Sequence, residues 1–204
     1  MRIFPLNFLF LLYTSFLLAD ETEIYHFAFD ASQTSSSSVL REPGKPADLY
    51  DAKNANDGNS ITAWCSNSEN GGIGEWIEFR AARQKPFTMR GIALSNGYTA
   101  SEEQYFANNR VKEVKITVLT TAGREEIFRK KMSDAFPAKN RLHPNLGVAH
   151  HLLNFPPCKK KCTPEEKDSF GLRENIAKIR ITVLSVYPGK KHNDTCISEV
   201  RWLQ

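Results

Sequence analysis

The sequence is poor in the features that announce an enzyme. It has no Gly-x-Ser-x-Gly, no His-Glu-x-x-His and no phosphate-binding glycine loop, so the hydrolases, metallopeptidases and nucleotide enzymes built on those motifs are excluded. Glu75 and Glu78 are three apart on an expected strand and project to opposite faces, a poor acid–base pair for glycoside hydrolysis. His150 and His151 have no evident nucleophile partner. Charge of one sign is also scarce: 27 Lys+Arg stand against 23 Asp+Glu, a net of +4. That balance argues against nucleic acid or an anionic bilayer as partner. Arg129-Lys130-Lys131 and Lys159-Lys160-Lys161 read as solvated faces. No long amphipathic helix and no internal repeat is visible, and no apolar run of membrane-spanning length follows the N-terminal one.

That first run has the marks of a signal peptide. Arg2 supplies a positive start, Phe8 to Leu18 is apolar apart from Thr14 and Ser15, and Ala19 precedes the charged Asp20-Glu21. Residues 1–19 are therefore expected to be removed, lowering the net charge by one to +3. No Cys follows the run, so a lipid-modified cysteine is not expected. The mature chain would be secreted, or periplasmic and associated with the cell surface. In such a compartment the four cysteines are expected to be oxidised. Four cysteines allow three connectivities. Cys158 and Cys162 are close enough to pair locally, which leaves Cys65 and Cys196 to close almost the whole domain. The rival reading is zinc on Cys158, Cys162, His150 and His151. Vicinal histidines on a strand point apart, and the ligand spacing is not a standard one.

From Glu75 onward the dominant period is two. Trp76 to Phe79, Phe87 to Leu94, Val114 to Val118, Glu125 to Phe128, Ile179 to Val183 and Ile197 to Trp202 read as strands. Val39-Leu40 and His151 to Phe155 could add two more. Asn96-Gly97 and Ala122-Gly123 are turns, Asp48 to Lys53 a short helical turn. The count is about eight strands, and the pattern argues for one antiparallel sandwich or jelly roll. Residues 20–34 form an N-terminal lead and 35–204 the domain. Residues 133–172, rich in proline and charge, form a long loop insert carrying one strand. Trp64 and Trp76 are read as core residues.

Several segments are more specific. They are Ala55-Asn56-Asp57-Gly58-Asn59-Ser60-Ile61-Thr62-Ala63-Trp64-Cys65, Gly71-Gly72-Ile73-Gly74-Glu75-Trp76-Ile77-Glu78-Phe79, and Asn96-Gly97-Tyr98 followed by Tyr105 and Asn108-Asn109-Arg110-Val111-Lys112. Near the end stand Val186-Tyr187-Pro188-Gly189 and Asn193-Asp194-Thr195-Cys196-Ile197-Ser198-Glu199. Together they resemble the discoidin-like, coagulation-factor type C superfamily of galactose-binding-like jelly rolls. Within it they are most similar to the branch called the NADase-type glycan-binding domain, over about residues 35–204. The resemblance implies an eight-stranded antiparallel jelly-roll β-sandwich with ligand loops at one end. It implies non-catalytic recognition of a glycan or cell surface, and no NAD hydrolysis.

The same residues can be read for their chemistry. Asp57-Gly58-Asn59 with Thr62 is an oxygen-rich turn suited to a hard cation such as Ca2+, or equally to an ordinary Asx turn. The resemblance adds Glu199 to this set as a cation ligand. Tyr98, Tyr105 and Tyr187 lie beside Gly, Asn or Pro in expected loops and could stack on the apolar face of a sugar. Asn108, Asn109, Arg110, Asn193 and Asp194 could satisfy its hydroxyl rim. The alternative for Arg110 is a structural ion pair with Glu75 or Asp194. A Cys65–Cys196 bridge would bring the Asp57–Trp64 turn beside the Asn193–Glu199 segment. Asn193-Asp194-Thr195 is a glycosylation sequon, meaningful only in a eukaryotic secretory pathway. The leading expectation is a glycan- or glycoconjugate-binding module. The second is an adhesin that binds a host or envelope protein through the same loops.

Overall fold

A computed structural model describes residues 24–25, 31–67, 69–81, 89, 91–136, 151–154 and 176–203. The expected signal peptide, the Cys158–Cys162 pair and the rival zinc set's His150 lie outside these residues, as do most of the lead and the insert.

The described strands are β1 (Ile24–Tyr25), β2 (Ser35–Ser36), β3 (Trp64–Cys65), β4 (Trp76–Arg80), β5 (Gly91–Asn96), β6 (Arg110–Thr120), β7 (Glu125–Lys131), β8 (His151–Asn154), β9 (Ile176–Tyr187) and β10 (Cys196–Leu203). Among the described residues one α-helix, α1 (Glu102–Ala107), interrupts the series. The strands form two antiparallel five-stranded sheets. The first has the order β1-β10-β5-β8, with β3 also paired to β10; the second runs β2-β4-β9-β6-β7. The expected count of about eight is exceeded because three two-residue ladders, β1, β2 and β3, add to seven longer strands.

Alternation explains the longer strands. In β6 the buried residues Val114, Ile116 and Val118 alternate with half-buried Lys115, Thr117 and Leu119. In β9, Ile179, Ile181 and Val183 do the same, and Ile77 and Phe79 of β4 join them. These inward faces meet Ile92 and Leu94 of β5 and Val200 and Trp202 of β10 in one core. Phe79 and Trp202 make an edge-to-face contact, centroids 5.1 Å apart. Each such side chain contributes about 1.5–3 kcal/mol on burial.

Three local expectations need correction. Val39-Leu40 is not a strand. The ladder forms at Ser35–Ser36 against Ile77 and Glu78, and the chain then crosses β3, where the Leu40 amide donates to the Cys65 carbonyl. The helical turn falls at Ala52–Asn56, after Pro46 to Asp51 is used up in successive hydrogen-bonded turns. Trp64 is fully buried and donates to the Ser38 carbonyl, but Trp76 is not a core residue. It has the opposite parity to Ile77 and Phe79, and the Arg180 guanidinium lies 4.0 Å from its ring centroid. Glu78 shares that outer face, buried among Lys178, Arg180 and Arg80. Burial would raise its pKa, but the hydrogen bonds and charges of Lys178 and Arg180 outweigh that and hold it below the ordinary value.

Candidate ligand-binding site

The connections that leave β2, β3, β5 and β9 at one end of the sandwich carry residues 37–63, 66–75, 97–109 and 188–195. Polar side chains lace these loops together. Asn96 accepts from the Val111 amide and donates to its carbonyl. Asn109 donates to the carbonyls of Gly71 and Asn193 and accepts from the Gly189 amide. Thr195 donates to the Gly71 carbonyl. The 188–195 loop docks on α1, with the Lys190 amide on Phe106 O and the amides of Lys191 and His192 on Ala107 O. Gly189 is required there: a Cβ would lie 2.4 Å from the Ala107 carbonyl oxygen and 2.6 Å from the Asn108 carbonyl carbon.

Beneath the loops lies the Cys65–Cys196 disulfide, fully buried and 131 residues apart in sequence. It joins directly opposed positions of β3 and β10. Leu40, Tyr50 and Tyr98 pack over it. Above them opens a cavity of about 150 Å³, walled by Tyr50, Tyr98, Asn108 and Asp194 with Glu42 and His192 at its sides. The two tyrosine rings stand perpendicular, centroids 6.2 Å apart. Tyr50 donates to Glu42 at 3.0 Å. Burial pushes both phenols up, and Glu42 adds to the shift. Burial also raises the Asp194 carboxyl, partly offset by its own backbone amide and by His192. Across the cavity Lys191 pairs with Glu103 at 2.8 Å.

Of the eight ligand residues expected from sequence, Tyr98, Asn108 and Asp194 meet in this cavity. The other five do not. Tyr105 is fully buried, edge-on to Phe106 and Phe136, so its ring offers no platform. Asn109, 2% exposed, is a strut between loops. Arg110 is structural: its guanidinium grips Asp134 at 3.0 and 2.7 Å and donates to the carbonyls of Asn108 and Pro188. Neither Glu75 nor Asp194 is that partner; Glu75 instead accepts from the hydroxyls of Ser37 and Ser38. Tyr187, the last residue of β9, donates to the Met132 carbonyl just beyond β7. Asn193, exposed, donates to the Glu69 carbonyl. The sequence reading missed Tyr50, Glu42, Glu103, Lys191 and His192. Tyr50 fell inside the expected Asp48–Lys53 helical turn and lacked the Gly, Asn or Pro neighbour that singled out Tyr98. Helix α1 had a signal: Ser101, three residues before Gln104, accepts from the Gln104 amide as an N-cap.

The expected cation residues also come together. Asp57 accepts from the Asn59 amide and from the Thr62 hydroxyl. The Glu199 carboxylate, 1% exposed, accepts from the Gly58 and Asn59 amides of the same turn. Its Oε2 has no hydrogen-bond partner. Burial first, and then the Asp57 charge, push the Glu199 carboxyl up to about 8, although Arg201 and the two amides pull the other way. An orphaned carboxylate oxygen facing a second carboxylate fits a hard cation. Among the described residues, Cys65, Asp194 and Cys196 also cluster within 4.8 Å. Two of them are the disulfide, so they do not form a metal centre.

Residues 25–203 match the model of the NAD glycohydrolase translocation F5/8 type C domain. The chain belongs to that family. Its fold is the galactose-binding-like β-sandwich of several solved structures. One is a protein fragment from Bacteroides thetaiotaomicron (TM-score 0.53, 11% identity, 91% of this chain and 94% of that one). Another is CpGH89CBM32-4, produced by Clostridium perfringens, in complex with glcNAc-alpha-1,4-galactose (TM-score 0.50, 12% identity, 89% and 95%). A third is the family 32 carbohydrate-binding module from Streptococcus pneumoniae EndoD (TM-score 0.50, 11% identity, 83% and 94%). Other matching chains are much longer: this one spans 10% of the arabinofuranosyltransferase AftD chain from Mycobacteria. No curated protein matches the chain.

Proposed function

We propose that this F5/8 type C domain is a non-catalytic carbohydrate-binding module that works outside the cytoplasm. The observation that carries the reading is the cavity over the disulfide. Two tyrosines sit there beside Asn108 and Asp194, in a space of about 150 Å³. A pyranose has an apolar C–H face and a rim of hydroxyls. An aromatic ring matches the first, and a carboxylate and an amide match the second. Glu42 and Asp194 make the cavity acidic, since Glu103 is already paired with Lys191. The site therefore favours neutral sugars, whose hydroxyls donate to carboxylates, over sialylated or sulfated ones. The family and the carbohydrate-binding modules of the same fold support this reading, and the buried disulfide supports an oxidising compartment.

The same reading assigns a structural Ca2+ to Asp57, Asn59, Thr62 and Glu199. The ion would supply the charge that the buried Glu199 carboxylate lacks and would tie the turn to β10.

The test is a glycan array with the mature protein. Neutral glycans are expected to score, and Tyr98→Ala or Asp194→Asn to abolish the signal while the domain stays folded, Tyr98→Ala melting lower because the ring packs on the disulfide. A silent array, or binding that survives both substitutions, refutes the reading. A silent array with specific capture of a host or envelope protein would favour the adhesin alternative.

A further inference from the structure

We propose that the sugar site continues past the Glu103–Lys191 ion pair into a second subsite built on Phe106, so that the preferred ligand is a neutral oligosaccharide of at least two rings. This rests on the reading of the first cavity as a sugar site.

A second, more open concavity of about 380 Å³ lies along α1, lined by Glu102, Phe106 and Lys190. It shares Glu103, Ala107 and Lys191 with the first cavity, so the two adjoin across the Glu103–Lys191 pair. The first is small, with room for one ring. A longer glycan must leave it, and the adjoining concavity is the exit on the α1 side.

The helix explains why an aromatic waits there. Tyr105 and Phe106 are consecutive on α1, about 100° apart around the axis. Tyr105 points inward and is fully buried; Phe106 is left half-buried at the groove. The backbone bond from the Lys190 amide to the Phe106 carbonyl fixes the opposite wall. The buried Arg110 guanidinium and the Lys190 ammonium each lie 5.3 Å from the Phe106 ring centroid, and of the two only Lys190 makes no ion pair with any described residue and is free to move off the ring. Its long stem lets it swing aside and donate to hydroxyls of a ring stacked on Phe106. Glu102 also lines the concavity and supplies an acceptor. Between the subsites, Glu103 and Lys191 are both largely exposed, so their pairing is weak and can open. They offer an acceptor and a donor to the hydroxyls on either side of the glycosidic bond.

The experiment is calorimetry with galactose, N-acetylglucosamine and a panel of neutral disaccharides that includes glcNAc-alpha-1,4-galactose. One disaccharide or more is expected to bind about 3- to 10-fold tighter than its better monosaccharide, the order of one added aromatic contact. Phe106→Ala and Lys190→Ala should each reduce that gain and leave monosaccharide affinity unchanged. Phe106→Trp should keep or raise it. Phe106→Leu preserves the apolar contact with Tyr105 and serves where the alanine variant loses its fold. Equal affinity for mono- and disaccharides, or a gain that survives both Phe106→Leu and Lys190→Ala, overturns the second subsite and leaves the first standing. Binding of none of these sugars, with a silent array, overturns both.

Discussion

Replacing both Cys65 and Cys196 with alanine should cost the domain several kcal/mol without changing its fold. The bridge spans 131 residues, and the loop-closure entropy of a loop that long is worth about 5 kcal/mol in the unfolded chain. Measured losses run lower, at about 2–4 kcal/mol, because real unfolded chains are not random. The native state should hold its geometry. Cys65 and Cys196 are register partners of β3 and β10, and the Leu40 and Ser66 amides bond the strands around them. Alanine avoids leaving a buried hydroxyl unpaired, as serine would. We therefore expect a loss of about 3 kcal/mol, or a drop in melting temperature of about 6–12 °C for a domain of this size. The assay is urea unfolding of both proteins. The m-value should rise in the variant, since an unbridged unfolded chain exposes more surface. A loss below about 1 kcal/mol with unchanged m would show that loop closure is not what the bridge contributes. Tyr50 and Tyr98 pack on the cystine, so sugar affinity should fall as well.

Three further outcomes follow from the site. Arg110→Ala removes a buried guanidinium from an ion pair whose carboxylate, Asp134, is partly exposed and can hydrate once alone, so stability should fall by about 1.5–3 kcal/mol, the worth of its charged hydrogen bonds. Chemical denaturation checks this, and full stability with a silent array would instead restore Arg110 as a ligand residue. Gly189→Ala should shift the 188–195 loop, because its Cβ meets backbone atoms of Ala107 and Asn108. The expected cost is about 1–3 kcal/mol, with array signal lost, and unchanged binding would contradict the close approach. Glu199 makes stability depend on pH when divalent cations are chelated. Its folded pKa of about 8 lies above the ordinary value, so the folded state binds the extra proton. The stabilisation is full below about pH 4.5 and is lost as pH rises through 8. Melting temperatures from pH 5 to 9 should fall for the parent chain, stay flatter for Glu199→Gln, and recover for the parent when Ca2+ is added. A flat parent profile would refute the buried carboxyl, and no recovery would remove the cation.

Sequence alone reached the fold because the fold rests on a local signal. Val114-Ile116-Val118 and Ile179-Ile181-Val183 alternate with polar residues, and a period of two needs no knowledge of distant neighbours. The family was equally legible, since its motifs are short runs around Asp57, Gly71, Asn96 and Asn193. The role of each motif residue was not. Asn109, Arg110 and Thr195 have the chemistry of ligand contacts, yet each is consumed in bracing one loop against another.

Nothing in a one-dimensional pattern says whether a polar side chain will find a protein partner first. Burial decides it, and burial at a loop end depends on segments far apart in the chain. Arg110 pairs with Asp134 across 24 residues, and Asn109 reaches Asn193 across 84. The sequence by itself determined an antiparallel β-sandwich and its family; it left three cysteine pairings open and favoured the one that joins Cys65 to Cys196, which the structure shows. Only the tertiary structure decided that Tyr50 joins Tyr98 over that disulfide while Tyr105 is withdrawn into the core. The reason is packing: four connections converge at one end, and what remains open there is what their side chains fail to fill.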